Sequence, residues 1–197
     1  MRFILASNNP KKLKELREIL AGLGAELVTQ REAGLLAEAE ETGESFEENA
    51  RIKALFACQA LGEPAIADDS GLVVEALGGA PGVYSARYGG ETCGSDAERT
   101  ALLLTNMAGQ NNRRAKFVSC IACVFPDGRE TAARGECVGT ISLSARGESG
   151  FGYDPVFELP GTGRTLAELT PEEKNAVSHR GAALREFEKK LRGLLND

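Results

Sequence analysis

KFVSCIACVF at 116–125 and ETAARGECVGTISL at 130–143, joined through Pro126-Asp127-Gly128, decide the fold class. Both are strand-like runs, and Pro-Asp-Gly is turn chemistry, so the pair reads as a long β-hairpin. Working towards the N-terminus, Ala97 to Met107 looks helical, and the Gly- and Pro-rich stretch LGGAPGVYSARYGG at 77–90 reads as a structured loop rather than a domain boundary. AIA at 65–67 reads as a strand fed by a helix from Phe46 to about Leu61, with Ser45 and Glu48 spaced as a capping box. RFILA at 2–6 is a short buried strand, after which Leu13, Leu16, Leu20 and Leu23 fall at helical spacing. On the C-terminal side, Ser178 to Leu195 carries Leu184, Phe187, Leu191 and Leu195 on one stripe, which predicts an amphipathic helix lying on the sheet. Alternating strands and helices plus the hairpin give an α/β fold with a mixed sheet and flanking helices.

The chain has 197 residues, a length at which one domain can bury a sizeable core, and residues 1–197 are read as a single domain. Its 23 Lys and Arg against 29 Asp and Glu leave a formal charge of -6, which disfavours a long polyanion, so no nucleic-acid partner is expected. Any phosphate must be held locally. Five cysteines are an odd number, and the N-terminus shows neither a long apolar run nor a cleavage site, so a cytoplasmic setting is expected. No apolar run approaches the roughly 20 residues that span a bilayer.

Cations stand where helices do not favour them. In SNNPKK at 7–12, Asn9 suits an N-cap and Pro10 the first helical position, yet Lys11 and Lys12 follow. Lysines there oppose the helix dipole by a few tenths of a kcal/mol each, unless an anion sits among them. They are either solvated or part of a phosphate site. Ser178 can cap a helix beginning with His179 and Arg180, and Thr170, Pro171 and Glu173 form another cap signature followed by Lys174. His179, the only histidine, is a structural residue or, given these neighbours, a ligand contact. Lys53 lies on the apolar face defined by Phe46, Ala50, Ala57 and Leu61, where it either snorkels or meets an anion.

ADDSG at 67–71 places Asp68, Asp69 and Ser70 where the AIA strand is expected to end. Ends of sheet strands are where α/β folds build sites. Because neighbours on an extended chain face opposite ways, one aspartate should point into a site and the other cap a turn. The acidic run EAEETGE at 38–44 can supply a second carboxylate, and magnesium takes one or two protein carboxylates while bridging to phosphates.

Several motifs are excluded. There is no GxxxxGK[ST], and the glycines of GESGFGYD at 147–154 do not fit GxGxxG. Cys120 and Cys123 form a CxxC inside an apparent strand, which points them to opposite faces and favours two small core residues over a redox or zinc site. No GxSxG accompanies the single histidine.

In order along the chain, SNNPKK, EETGESFEENARIKA, AIADDSGL, LGGAPGVYSARY, GFGYDPVF and LTPEEKNAVSHRGAAL resemble the family of inosine triphosphate pyrophosphatases, also called Ham1-like proteins. Ser7-Asn8-Asn9 stands where bacterial relatives commonly have Thr-Gly-Asn. The resemblance implies an elongated, two-lobed α/β fold with its active-site cleft between the lobes, a homodimer, and Mg2+-dependent hydrolysis of ITP, dITP and XTP to monophosphate and pyrophosphate, with Mn2+ a possible substitute. Such an activity cleanses the nucleotide pool of deaminated purines. By position, Ser7, Asn8, Asn9, Pro10, Lys11, Lys12 and Lys53 would contact the triphosphate. Asp69 would be the catalytic carboxylate and a metal ligand, with Glu41, or its neighbour Glu40, as the second acidic group. Ser70, Phe151, Gly152, Tyr153, Asp154, Lys174, His179 and Arg180 would bind the nucleotide, the later ones around its base, with Phe151 or Tyr153 stacking on the ring. The alternatives are a pyrophosphatase for another modified nucleotide, a nucleotide-binding regulator without catalysis, and a structural domain without a site.

Overall fold

The computed structural model describes residues 1–7, 12–14, 16–17 and 24–196; Asn8, Asn9, Pro10 and Lys11, with Leu20 and Leu23 of the expected first helix, lie outside the described residues. Among the described residues six strands form one sheet: β1 (Arg2–Leu5), β2 (Glu26–Thr29), β3 (Ala65–Val74), β4 (Arg114–Val124), β5 (Glu130–Ile141) and β6 (Phe157–Glu158), in the order β2-β1-β3-β4-β5-β6. β1 runs parallel to β2 and β3, whereas β5 and β6 are antiparallel, so the sheet is mixed as expected. Residues 12–14 and 16–17 are helical. Among the described residues four further α-helices are α1 (Phe46–Leu61), α2 (Asp96–Asn106), α3 (Pro171–Val177) and α4 (His179–Asn196).

The hairpin is built by its turn: Phe125 N–H donates to Arg129 C=O at 2.9 Å, and Gly128 N–H to Phe125 C=O at 3.0 Å. Gly128 sits at φ 89, a conformation that glycine adopts without a Cβ clash. β5 alternates buried and exposed residues from Ala133 to Ile141, the signature of a strand with one solvated face. In β1, by contrast, Phe3, Ile4 and Leu5 are all fully buried, as an interior parallel strand requires.

Helix ends follow their capping residues. Thr170 and Glu173 close a reciprocal capping box with Pro171 in the first turn of α3, and Ser178 Oγ accepts from Gly181 N–H at 3.1 Å at the start of α4. At α1 only half of the expected box forms. Ser45 Oγ accepts from Glu48 N–H, but the Glu48 carboxylate reaches past Ser45 to Glu44 N–H at 2.8 Å. The reason is the loop before the helix, which folds back so that Gly43 N–H donates to Asn49 Oδ1 at 2.8 Å.

Contacts within the chain define two compact units. Residues 1–69, 119–135 and 182–197 form the first. Its core gathers Phe3, Leu5, Leu16, Leu27, Ile66, Ile121, Cys123 and Phe125 with Ala183, Phe187 and Leu191 of α4, so the C-terminal stripe lies on the sheet as predicted. Residues 70–118 and 136–181 form the second, whose core contains Leu72, Val74, Leu103, Met107, Phe117, Ile141, Tyr153 and Phe157. The stretch at 77–90 belongs here and is structured, with Ser85 Oγ accepting from Leu72 N–H and donating to Gly82 C=O. Cys120 and Cys123 are buried, and burial pushes the Cys123 thiol well up, consistent with the core role read from the strand pattern. Among the described residues no helix is long and apolar enough to cross a membrane.

Phe187 is fully buried at the centre of the first core. Phe187→Ala is expected to cost about 3–5 kcal/mol in chemical denaturation; a loss below about 1 kcal/mol would show that α4 is not docked as described.

Candidate functional site

The AIA strand does not end at Asp68. β3 continues to Val74, because Leu72 and Val74 are fully buried and the gain from burying them outweighs the turn tendency of Asp-Ser-Gly. Both aspartates therefore lie in mid-strand, and neither caps a turn. Their side chains take different partners: Asp68 pairs with Lys12 at 2.8 Å and Asp69 with Lys53 at 2.9 Å. Asp68 is only 5% exposed, so Lys12 is a buried charge's partner rather than a solvated surface lysine.

Lys53 comes from α1 and does not snorkel. Its ammonium donates to Asp69 Oδ1 and to Glu41 Oε1, each at 2.9 Å. Of the two candidate glutamates, Glu41 is the one joined to this cluster. Burial alone would lower the lysine's hold on its proton, but the Asp69 charge and the bonds to both carboxylates outweigh it and hold the ammonium above the ordinary lysine value. For Asp69 the balance goes the other way. Burial pushes its carboxyl above the usual range, Glu41 and Asp68 add to the push, and Lys53 offsets only part of it.

Asp69 Oδ2 is buried and has no hydrogen-bond partner among the described residues. A buried carboxylate oxygen without a donor, beside a second carboxylate on the same lysine, fits a hard divalent cation that needs one or two protein oxygens. Asn49, one turn before Lys53 on α1, is fully buried and was not singled out from sequence, although its place on the apolar face was a signal. Its Oδ1 holds Gly43, two residues beyond Glu41, and a Cβ at Gly43 would come within 2.7 Å of that oxygen. The loop carrying Glu41 thus closes on α1 because position 43 lacks a side chain.

The second unit brings together the later candidates. Lys174 pairs with buried Asp154 at 2.5 Å, and Asp154 also accepts from Phe151 N–H at 2.7 Å. The Phe151 ring is 46% exposed, with the Lys174 ammonium 4.6 Å and the Arg180 guanidinium 5.4 Å from its centroid. His179 is buried and stacks on Phe117 at 4.8 Å. Tyr153 points inward and donates its hydroxyl to Ser85 C=O at 2.8 Å, so of the two expected stacking rings only Phe151 is presented. Ser7, directly after β1, and Ser70, in β3, are each half-buried.

The chain matches the Ham1 family model over residues 3–190, a span that contains all six sequence blocks. This protein belongs to the Ham1 family. It is 50% identical over 181 residues to the dITP/XTP pyrophosphatase of Deinococcus deserti, covering 92% of this chain and 85% of that one. To the dITP/XTP pyrophosphatase of Exiguobacterium sp. it is 47% identical over 191 residues, covering 97% of each. The solved structure of the Staphylococcus aureus Ham1 protein superposes with a TM-score of 0.92 at 39% identity, covering 98% of this chain and 99% of that one.

Removing the shared cation should leave two carboxylates uncompensated. Lys53→Met, measured by denaturation in metal-free buffer at neutral pH, is expected to cost about 3 kcal/mol, the low end for a broken buried pair because water reaches part of the cluster. A change within about 0.5 kcal/mol, the size of an exposed pair, would contradict the two ion pairs.

Proposed function

We propose that this protein hydrolyses non-standard purine nucleoside triphosphates, ITP, dITP and XTP, to the monophosphate and pyrophosphate. The observation that carries the reading is the Asp69–Lys53–Glu41 cluster, whose Asp69 Oδ2 has no partner among the described residues, in a chain whose relatives are named dITP/XTP pyrophosphatases.

Lys12 and Lys53 neutralise the triphosphate, together with Lys11 and the Ser7 to Pro10 segment that precedes it. Both described lysines are half-buried and paired with aspartates, so their charge is fixed in place before substrate arrives, which is what transition-state stabilisation requires. Asp69 orients a water towards the α-phosphorus and takes its proton, a task favoured by the upward push of burial on its carboxyl. The new P–O bond forms in line as the bond to the bridging oxygen breaks, and pyrophosphate leaves as one unit. Mg2+, or Mn2+ in its place, would be held by Asp69 and Glu41 and would supply Lewis-acid neutralisation of the phosphate oxygens.

Recognition of the base falls to the Phe151 group, with Ser70, Gly152, Asp154 and His179 completing the nucleotide contacts. A purine stacked on Phe151 gains about 1–3 kcal/mol irrespective of its identity. Choice comes from Arg180 and Lys174, whose donors meet O6 of hypoxanthine or xanthine but oppose the 6-amino group of adenine. A site built to pair with one polar group can reject its mismatch by about 10⁴. The protein is read as a homodimer, as its resemblance to the family implies, and as cytoplasmic from its odd number of cysteines and its N-terminal sequence.

Incubation with ITP, dITP, XTP, GTP and ATP plus Mg2+, followed by separation of products, tests the reading. Monophosphate and pyrophosphate are the expected first products from the first three substrates, with turnover falling by at least about 10² in Asp69→Asn, the usual worth of a general base. Orthophosphate as the first product, or near-wild-type turnover in Asp69→Asn, would overturn it.

A further inference from the structure

Phe151 is presented on a segment whose backbone is held from two sides, and one of those sides is not explained by the residues assigned so far. Asp154 Oδ2 takes Phe151 N–H. The other hold comes from α2. Asp96 Oδ2 accepts from Gly152 N–H at 2.9 Å, and Thr100, one helical turn further on, donates its hydroxyl to Gly152 C=O at 3.3 Å. Asp96 and Thr100 are four residues apart, so they project from the same face of the helix.

The grip is preset. Arg99 bonds the other Asp96 oxygen at 2.6 Å and reaches Cys93 C=O at 3.2 Å, fixing the carboxylate's orientation. Consistently, the bond to Arg99 and that from Gly152 hold the Asp96 carboxyl below the usual range. Gly152 itself sits at φ 59, a left-handed conformation that glycine adopts without a Cβ clash. A groove of about 520 Å³, lined by Ala97, Ala101, Leu104 and Pro155 among others, lies between α2 and the 147–152 segment, and the two hydrogen bonds to Gly152 tie them together at its edge.

We propose that Asp96 and Thr100 are positioning residues for purine recognition: by clamping both polar groups of Gly152 they fix the Phe151 ring beside Lys174 and Arg180, and so set the affinity for the base without touching the phosphates. The inference rests on the reading that Phe151 meets the base.

The test uses the full-length, Mg2+-loaded enzyme as wild type, Asp96→Ala, Asp96→Asn, Thr100→Val and Phe151→Ala. Each is assayed for KM and kcat on ITP and for inhibition by inorganic tripolyphosphate, which has no base. Asp96→Ala and Thr100→Val should each raise KM for ITP by about 2- to 10-fold, the worth of one hydrogen bond. Values of kcat should stay within about twofold and tripolyphosphate inhibition should be unchanged, since these interactions serve ground state and transition state alike. Asp96→Asn, which keeps an acceptor for Gly152 N–H, should recover most of the lost affinity. If tripolyphosphate inhibition weakens in step with KM, the effect is general and the clamp is overturned. A raised KM in Phe151→Ala with wild-type values in Asp96→Ala and Thr100→Val would overturn the clamp alone. Wild-type KM in Phe151→Ala would overturn the assignment of the base to Phe151, and the clamp with it.

Discussion

A lysine ammonium held between two carboxylates organises the first unit of this protein. Burying three charges is costly, of the order of several kcal/mol per ion, and attraction repays this only with good geometry. Lys53 meets that condition through two 2.9 Å bonds. Each partner reaches it by a different route: Asp69 because β3 stays extended past it, Glu41 because the loop at 41–45 is drawn down by Asn49. Asp68 and Lys12 repeat the device one residue earlier. A fold selected for stability alone has cheaper ways to fill these positions with apolar side chains. Fixed, partly unsatisfied charge is instead what phosphate chemistry uses.

The second unit solves a different problem, the presentation of one aromatic ring. Phe151 is half exposed on a segment whose neighbours are all tied: Tyr153 by its hydroxyl to Ser85, Asp154 to Lys174, Gly152 to α2. The ring that could have competed for the role is spent on the core. His179 likewise gives a face to Phe117, leaving the two neighbouring cations, Lys174 and Arg180, against the exposed ring.

What could be read from the sequence was what is local. The bounds of α1, the hairpin turn, the Thr170 and Ser178 caps and the α4 stripe follow from residues within a few positions of each other, and all stand. Periodicity also flagged Lys53 as out of place, but its two partners are 12 and 16 residues away and only tertiary structure could say whether it snorkels. The same limit explains the strand misjudged at Asp68, where burial of Leu72 and Val74 overrides local turn chemistry. Glu48 left its expected capping partner because of a loop contact that no spacing rule contains. β2 and β6, four and two residues long, are defined by their neighbours rather than by their own pattern. Asp96 and Thr100 carry no sequence signal for their role, since their target lies more than 50 residues on.

The central claim is that these fixed charges direct water to the α-phosphorus of a purine triphosphate. Hydrolysis of ITP in 18O-labelled water, with mass analysis of both products after a single turnover, examines it at the bond that forms. The account predicts one solvent oxygen in inosine monophosphate and none in pyrophosphate. Label in pyrophosphate would place the attack at the β-phosphorus and contradict it.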